Sequence, residues 1–515
     1  MPRRRAATPQ SSVNRLNARI VALLLRPQSA APSVALAIAV FCVLGLFIDI
    51  LMKPAENLFM DCTEAYAWGR QFLGGYGRHP PLTGWIAGIW YRVFPAANWA
   101  SYALSQVMTC ISLVSIYLIG RHVLGRRRAA LVLFAMMLYP LFIGAKSDRF
   151  NNYQVLLAVL PLAVWLLLRA YRRPTAKSGL ALGLAAAAAA LTIYSALFGL
   201  AGMALAAVLH PDGRRFFANP APYAAVVVFL LAMTPHIVWL VDHDFSSSRW
   251  AGGFIGGTSY RPNVVMYLGQ HFALLTFCFV GAAIALWPWR RRVPPDAASS
   301  SGADRGVVLI VAAVLVGGPA VAAVLLNVFL KPDWGNPLFF LVPVAVASLL
   351  PNVLVTRASV ARSAWIAAIF ALALLVGAPV YSWARFKTQT DDGLYRPFIE
   401  AAAEITRLWR VRFHSPLPIV VSSFEIASAI VFYSADHPKM FADFDPAYSP
   451  WIDYPQELAR KGFVGVCLDV DAGCRAYLKS MNPNAEQLDV TLQRRRYGRA
   501  TPPLRLHLEF TGPRS

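Results

Sequence analysis

Apolar runs of about twenty residues, separated by short polar or basic connections, recur from residue 33 to residue 383. An α-helix rises 1.5 Å per residue, so about twenty residues cross a hydrocarbon layer of ~30 Å. Helix is also the form in which a single segment satisfies its own backbone polar groups in lipid. The pattern predicts an α-helical polytopic membrane protein with about eleven transmembrane helices. These are 33–52, 101–120, 129–145, 151–171, a hairpin of two short helices within 179–209 turning near Thr192 to Ser195, 220–241, 264–287, 306–330, 338–355 and 363–383. The long first loop, 53–100, is amphipathic and predicts one or two helices lying on the membrane surface. After residue 384, strand-like runs such as PIVVSS (418–423) and FVGVCLDV (463–470) alternate with helical segments such as 396–410, predicting a small C-terminal α/β domain over 385–515.

Composition fits this reading: 57% of the 515 residues are hydrophobic and 14% charged, too apolar for a water-solvated surface. The net charge of +22 suggests nucleic acid at first sight, but the basic residues sit in clusters between apolar runs rather than on one soluble face. They read as orientation signals, and no nucleic-acid partner is expected. With the basic arm 1–32 in the cytoplasm, every second connection is basic: Arg126 to Arg128, Arg169 with Arg172 and Arg173, Arg214 with Arg215, Arg290 to Arg292, and Arg357 with Arg362. That register puts the first loop and the 385–515 domain outside, in the periplasm if the cell is bacterial and the membrane its inner one. The 33–52 run is of spanning length and anchors rather than serving as a cleaved leader. The stretch 294–306 reads as a flexible linker. Cys467 and Cys474 can pair in an oxidising compartment or stay as free thiols. The sequence carries neither a nucleotide-binding glycine motif nor histidines at metal-ligand spacing. No cofactor and no metal site is therefore expected, a divalent ion being left open.

Candidate chemistry gathers in the first loop, MDCTEAYAWGRQFLGGYGRHPPLTGW. Asp61 and Glu64 are three residues apart, so a helix over 61–73 sets both carboxylates on one face. They are either a solvated helix face near an N-terminus or a pair whose proximity raises a pKa toward general-base work. Arg78 and His79 precede Pro80 and Pro81, which end any helix and fix two basic groups where a phosphate can be held. Tyr66, Trp68, Tyr76, Trp85, Trp90 and Tyr91 read as an interfacial belt, some of which can stack on a sugar. In KSDRFNN, Lys146 and Arg149 either snorkel to the interface or meet a phosphate, with Asp148 beside them. His236 and His243, with Asp242 and Asp244, match no ligand spacing and read as structural.

Asp61, Glu64-Ala65-Tyr66, Gly75-Tyr76 and His79-Pro80-Pro81-Leu82 together resemble the first-loop signature of the family 39 type of polytopic, C-type-fold glycosyltransferases. That group includes protein mannosyltransferases, lipid A aminoarabinose transferases and rhizobial galacturonosyl transferases. The resemblance extends to FNNYQ (150–154), LTIYS (191–195), TPHIVWLVDHDF (234–245) and KPDWGNPLFF (331–340). It departs at Cys62, where many relatives carry an acid, and at Ile193, where a lysine is common. It implies a polyprenyl-phosphate-linked sugar donor lying in membrane lipid, an acceptor lipid, glycan or protein, and Asp61 as general base with Glu64 beside it. The resemblance further implies donor-phosphate contacts from His79, Arg78, Arg149 and Lys146, and substrate contacts from Tyr66, Tyr76, Asp148, Asn151, Asn152, Lys331 and Trp334. Asp333 faces the same side, and Asn336 follows it. The rival readings are a transporter or flippase, which calls for charges at mid-span and matched halves not seen here, and an inactive lipid-binding scaffold.

Overall fold

A computed structural model describes residues 30–144, 146–253, 260–288 and 302–513, together with Arg19 and Ala22. The rest of the basic arm, Arg290 to Arg292 and most of the 294–306 linker lie outside the described residues. Seven described helices are long and apolar enough to cross a membrane: Pro32–Met52, Asn98–Leu124, Asn152–Arg172, Pro220–Asp242, Asn263–Leu286, Gly302–Leu325 and Arg357–Thr388. The 179–209 run is a hairpin, Ala176–Ala190 and Ala196–Leu209, turning at 191–195 as the basic flanks required.

Two expected spans are not spanning helices. Within 129–145 the helix is Arg126–Met136 and then breaks into turns through Pro140 and Gly144, the latter left-handed at φ 86°. Within 338–355 it is Val342–Leu349, opened by Pro343 and followed by Pro351. Their 11 and 8 residues reach only about 16 and 12 Å at 1.5 Å per residue. Broken backbone is tolerated where it packs inside the bundle, as at residues 129–139, which are all buried, whereas the second piece buries Pro343 to Ala345 and leaves Leu349 exposed.

The first loop does not simply rest on the bilayer. Its helix Met60–Gly69 is buried from Cys62 to Gly69, and Leu82–Trp90 packs beside it. Leu58, Cys62, Tyr66, Trp68 and Tyr76 share one apolar core with Trp409, Ile419, Phe432 and Phe441 of the C-terminal domain. Polar contacts fix this junction. Leu58 N donates to the Tyr433 hydroxyl at 2.8 Å, and the Thr63 and Ser428 hydroxyls meet at 2.9 Å. Arg494 donates to Ala55 O and Asn57 Oδ1 while pairing with Glu400.

The C-terminal domain is built on a five-stranded sheet in the order β2-β1-β3-β7-β4, with β1 at Ile419–Ser422, β2 at Lys439–Ala442, β3 at Phe463–Leu468, β4 at Glu486–Leu492 and β7 at Leu504–Thr511. A short antiparallel hairpin, β5 at Arg495–Arg496 and β6 at Arg499–Ala500, interrupts the return between β4 and β7. β1 pairs parallel with β2 and β3, and β7 runs antiparallel between β3 and β4. Helices Phe398–Phe413 and Phe424–Tyr433 join this sheet to the first loop. Cys467 and Cys474 are disulfide-bonded, closing the open choice between paired and free thiols.

Candidate active site

Where the first loop, the 146–151 turn, the 331–336 turn and the C-terminal domain converge, a cavity of about 300 Å³ opens. Asp61 and Glu64 line it one helical turn apart, as their spacing implied. Arg78, His79, Lys146, Arg149, Asn151, Lys331 and Trp334 line it as well, together with Asp333 and Asn336. The bundle therefore brings together nine of the thirteen candidate residues from segments distant in the chain.

Asp61 is held by Asn151. Asn151 is the N-cap of the Asn152–Arg172 helix, and its Oδ1 accepts from the backbone N–H groups of Tyr153 and Gln154, both at 3.1 Å. This fixes the amide, so the opposite side, Nδ2, donates to Asp61 Oδ2 at 3.2 Å. Burial pushes the Asp61 carboxyl above the ordinary range, while the Asn151 bond and the Arg149 and Arg78 charges pull it back. Glu64 lacks such a donor, and burial first, then the Asp61 and Asp443 charges, raise it to about 8 against the pull of Arg78. The two acids are thus pushed apart: burial outweighs the mutual repulsion expected from spacing alone, and at neutral pH Glu64 is mainly protonated.

Among the cations the structure separates bound from available. Arg78 pairs with Asp443 and lies between the rings of Phe424 and Tyr448, 4.2 and 4.9 Å away. Lys146 pairs with Asp333, which also accepts from Gln270 at 3.1 Å. Arg149 sits over the Phe59 ring at 4.2 Å, and no carboxylate lies within ion-pair distance of it among the described residues. At His79, burial first and then the neighbouring Arg78 lower the ring to about 3, and it sits edge-on against Trp68 and Trp250. Among the described residues its buried Nδ1 has no partner, nor has the buried Asn336 Oδ1, and both residues line the cavity.

Four candidates lie outside the cavity walls. Tyr76 is fully buried, stacked on Trp68 with its hydroxyl donating to Trp68 O at 2.9 Å, so it supports the loop rather than meeting a sugar. Tyr66 packs edge-on against Tyr91 and Phe432 in the shared core. Asp148 turns away to an ion pair with Lys53, and Asn152 is buried with Oδ1 unpartnered. The Lys53–Asp148 pair is not confined to a loop. It adjoins Asp49, buried in the last turn of the first span, which accepts from Gln106 and Ser147 at 3.0 Å each. Sequence reasoning missed Phe59, Tyr153, Trp250 and Phe424 as cavity walls. Phe424 follows β1 in the distant domain, so no local pattern points to it. His236 Nδ1 donates to Gly74 O at 2.9 Å, and His243 Nδ1 donates to Trp239 O at 2.9 Å. Both hold backbone, and no group of three or more metal-ligating side chains occurs among the described residues. A Cβ on Gly75 collides with the Trp239 ring, which accounts for glycine in the Gly-Tyr motif.

The chain is similar to known proteins in both sequence and fold. The family described as dolichyl-phosphate-mannose-protein mannosyltransferase matches residues 78–239, a stretch containing Arg78, His79, Lys146, Arg149 and Asn151 but not Asp61. The lipopolysaccharide core galacturonosyltransferase RgtA of Rhizobium johnstonii is 26% identical over 257 residues, covering 49% of this chain and 50% of that protein. The chain thus spans about half the length of the curated relative it matches. The crystal structure of ArnT from Cupriavidus metallidurans bound to undecaprenyl phosphate superimposes with a TM-score of 0.59 at 14% identity, over 94% of this chain and all of that one. At that identity the likeness is one of fold. On these three matches the chain is a polytopic membrane protein with the ArnT fold that resembles the family 39 type of glycosyltransferases.

Proposed function

We propose that the protein transfers a sugar from a polyprenyl-phosphate carrier to an acceptor hydroxyl at the outer face of a bacterial inner membrane, with the amino terminus in the cytoplasm. The observation carrying this reading is one cavity lined both by an amide-oriented carboxylate, Asp61, and by Arg149, a cation without a carboxylate partner among the described residues. The solved relative by fold binds undecaprenyl phosphate, and the relative by sequence is named for acting on lipopolysaccharide core, which supports the classes of donor and acceptor.

Asp61 takes the proton of the acceptor hydroxyl as its oxygen bonds to the anomeric carbon. The bond from that carbon to the phosphate oxygen breaks, and its electron pair leaves on the carrier phosphate, giving inversion. Charge developing on that phosphate is met by Arg149 and Lys331, already oriented before reaction. Glu64, protonated near neutrality, donates a hydrogen bond rather than acting as the base. Neutral His79 presents an uncharged ring nitrogen to the sugar or phosphate. Lys146 and Asp333, paired together, line the wall.

The test is Asp61→Asn in membranes supplied with lipid-linked sugar. Removing a general base lowers turnover by about 10²–10⁴-fold. Turnover at the wild-type rate refutes the assignment.

A further inference from the structure

A second and larger hollow, about 670 Å³, opens beside the catalytic cavity. One wall is the turn after the Pro220–Asp242 helix, with Asp244, Ser246 and Arg249; the other is the loop between β2 and β3, with Asp453, Tyr454 and Glu457. Only neighbouring residues separate it from the catalytic cavity. Trp250, next to Arg249, lines that cavity, and Tyr448, next to Ala447 of this groove, covers the Arg78 guanidinium.

Three observations mark the groove as built for a ligand. Ser246 is 8% exposed and lines it, yet its buried hydroxyl has no hydrogen-bond partner among the described residues. Asp244 and Phe245, neither of them glycine, are both left-handed, at φ 50° and 55°, a costly backbone state that clusters at functional sites. Tyr454 is half-exposed, its ring held parallel to buried Phe441 at 5.2 Å, a fixed aromatic platform.

The polar groups select the ligand class. Glu457 is occupied by Lys439 and Lys461, whereas Asp244 and Asp453 are exposed and have no cation within ion-pair distance among the described residues. Carboxylates accept from hydroxyls, Arg249 donates to them, and Ser246 does either, so the set matches a ring whose hydroxyls both donate and accept. An aromatic face beside a few polar groups fits the apolar side of such a ring. Two uncompensated carboxylates disfavour a phosphate head group, and Arg249 disfavours a basic peptide.

We propose that this groove is a saccharide-binding subsite that holds the acceptor glycan next to the catalytic cavity, an inference that rests on the glycosyl-transfer reading above. The probe is lipopolysaccharide core oligosaccharide freed of its lipid, titrated against the full chain in nanodiscs by calorimetry. Asp244→Ala with Asp453→Ala, and separately Tyr454→Ala, each weaken oligosaccharide binding by about tenfold or more, while binding of undecaprenyl phosphate stays unchanged. Asp61→Asn retains oligosaccharide binding although it loses transfer. Equal oligosaccharide affinity in wild type and groove variants overturns the subsite, as does wild type binding a phosphate or basic-peptide probe in preference to the sugar. Continued turnover by Asp61→Asn instead overturns the transfer reading, leaving the binding result to be judged separately.

Discussion

Replacing Asn151 by serine separates two jobs that the asparagine does at once. Its Oδ1 caps the Asn152–Arg172 helix and its Nδ2 donates to Asp61 at 3.2 Å. Serine keeps a good cap but is one group too short to reach the carboxylate. A hydrogen bond to a charged group contributes about 1.5–3 kcal/mol. At about 1.4 kcal/mol per pH unit, losing it raises the Asp61 pKa by roughly one to two units. The sign follows from which form the bond favours. Nδ2–H stabilises the carboxylate and so opposes the upward push of burial; without it the acid form persists to higher pH. The acid limb of the kcat/KM profile, measured with lipid-linked sugar in detergent or nanodiscs, should therefore move to higher pH by that amount. Thermal stability should change little, whereas Asn151→Ala should also cost about 0.5–2 kcal/mol through the lost cap. An acid limb that stays in place in the serine variant refutes both the bond and the role of Asp61 as base.

Glu64→Gln should keep most of its activity at pH 7, because a carboxyl raised to about 8 is already mainly neutral there. The same raised value makes folding less favourable as pH climbs from the ordinary glutamate range toward 8, so the stability of the glutamine variant relative to wild type should grow across that window and then level off; parallel melting curves against pH contradict this. Lys53→Met should destabilise by about 3–5 kcal/mol by stranding buried Asp148 and Asp49, both lysine and aspartate of the pair being under 10% exposed. Denaturant titration in mixed micelles measures it, with Lys53→Met/Asp148→Leu recovering part of the loss; equal losses in single and double variants show that the pair is not coupled.

The apolar rhythm made the membrane class, the hairpin at 191–195 and the C-terminal sheet legible, because each depends on local period and turn chemistry. It failed at 129–145 and 338–355. Hydrophobicity reports only that a segment avoids water, and it does not say whether one continuous helix or a short broken piece does so. The prolines and Gly144 that break them were visible in the sequence, but a proline at Pro161 or Pro235 sits within an intact spanning helix. Only the neighbours decide which prolines terminate a helix.

The candidate site shows the same division. Asp61 and Glu64 share a wall because helical spacing is local, but which acid is the base depends on Asn151, a residue whose amide orientation is set by the cap of another helix. Arg78 and His79 look alike in sequence as phosphate cations, and the fold treats them differently. Arg78 is claimed by Asp443, Phe424 and Tyr448, all from the C-terminal domain, and His79 is buried until it is neutral. That domain therefore does more than decorate the membrane bundle. By taking Arg78 as a strut and sharing one apolar core with the first loop, it fixes the helix that carries Asp61, while Arg149 has no carboxylate partner among the described residues. Loosening the domain, rather than altering any residue in the cavity, should then be enough to disorder the site.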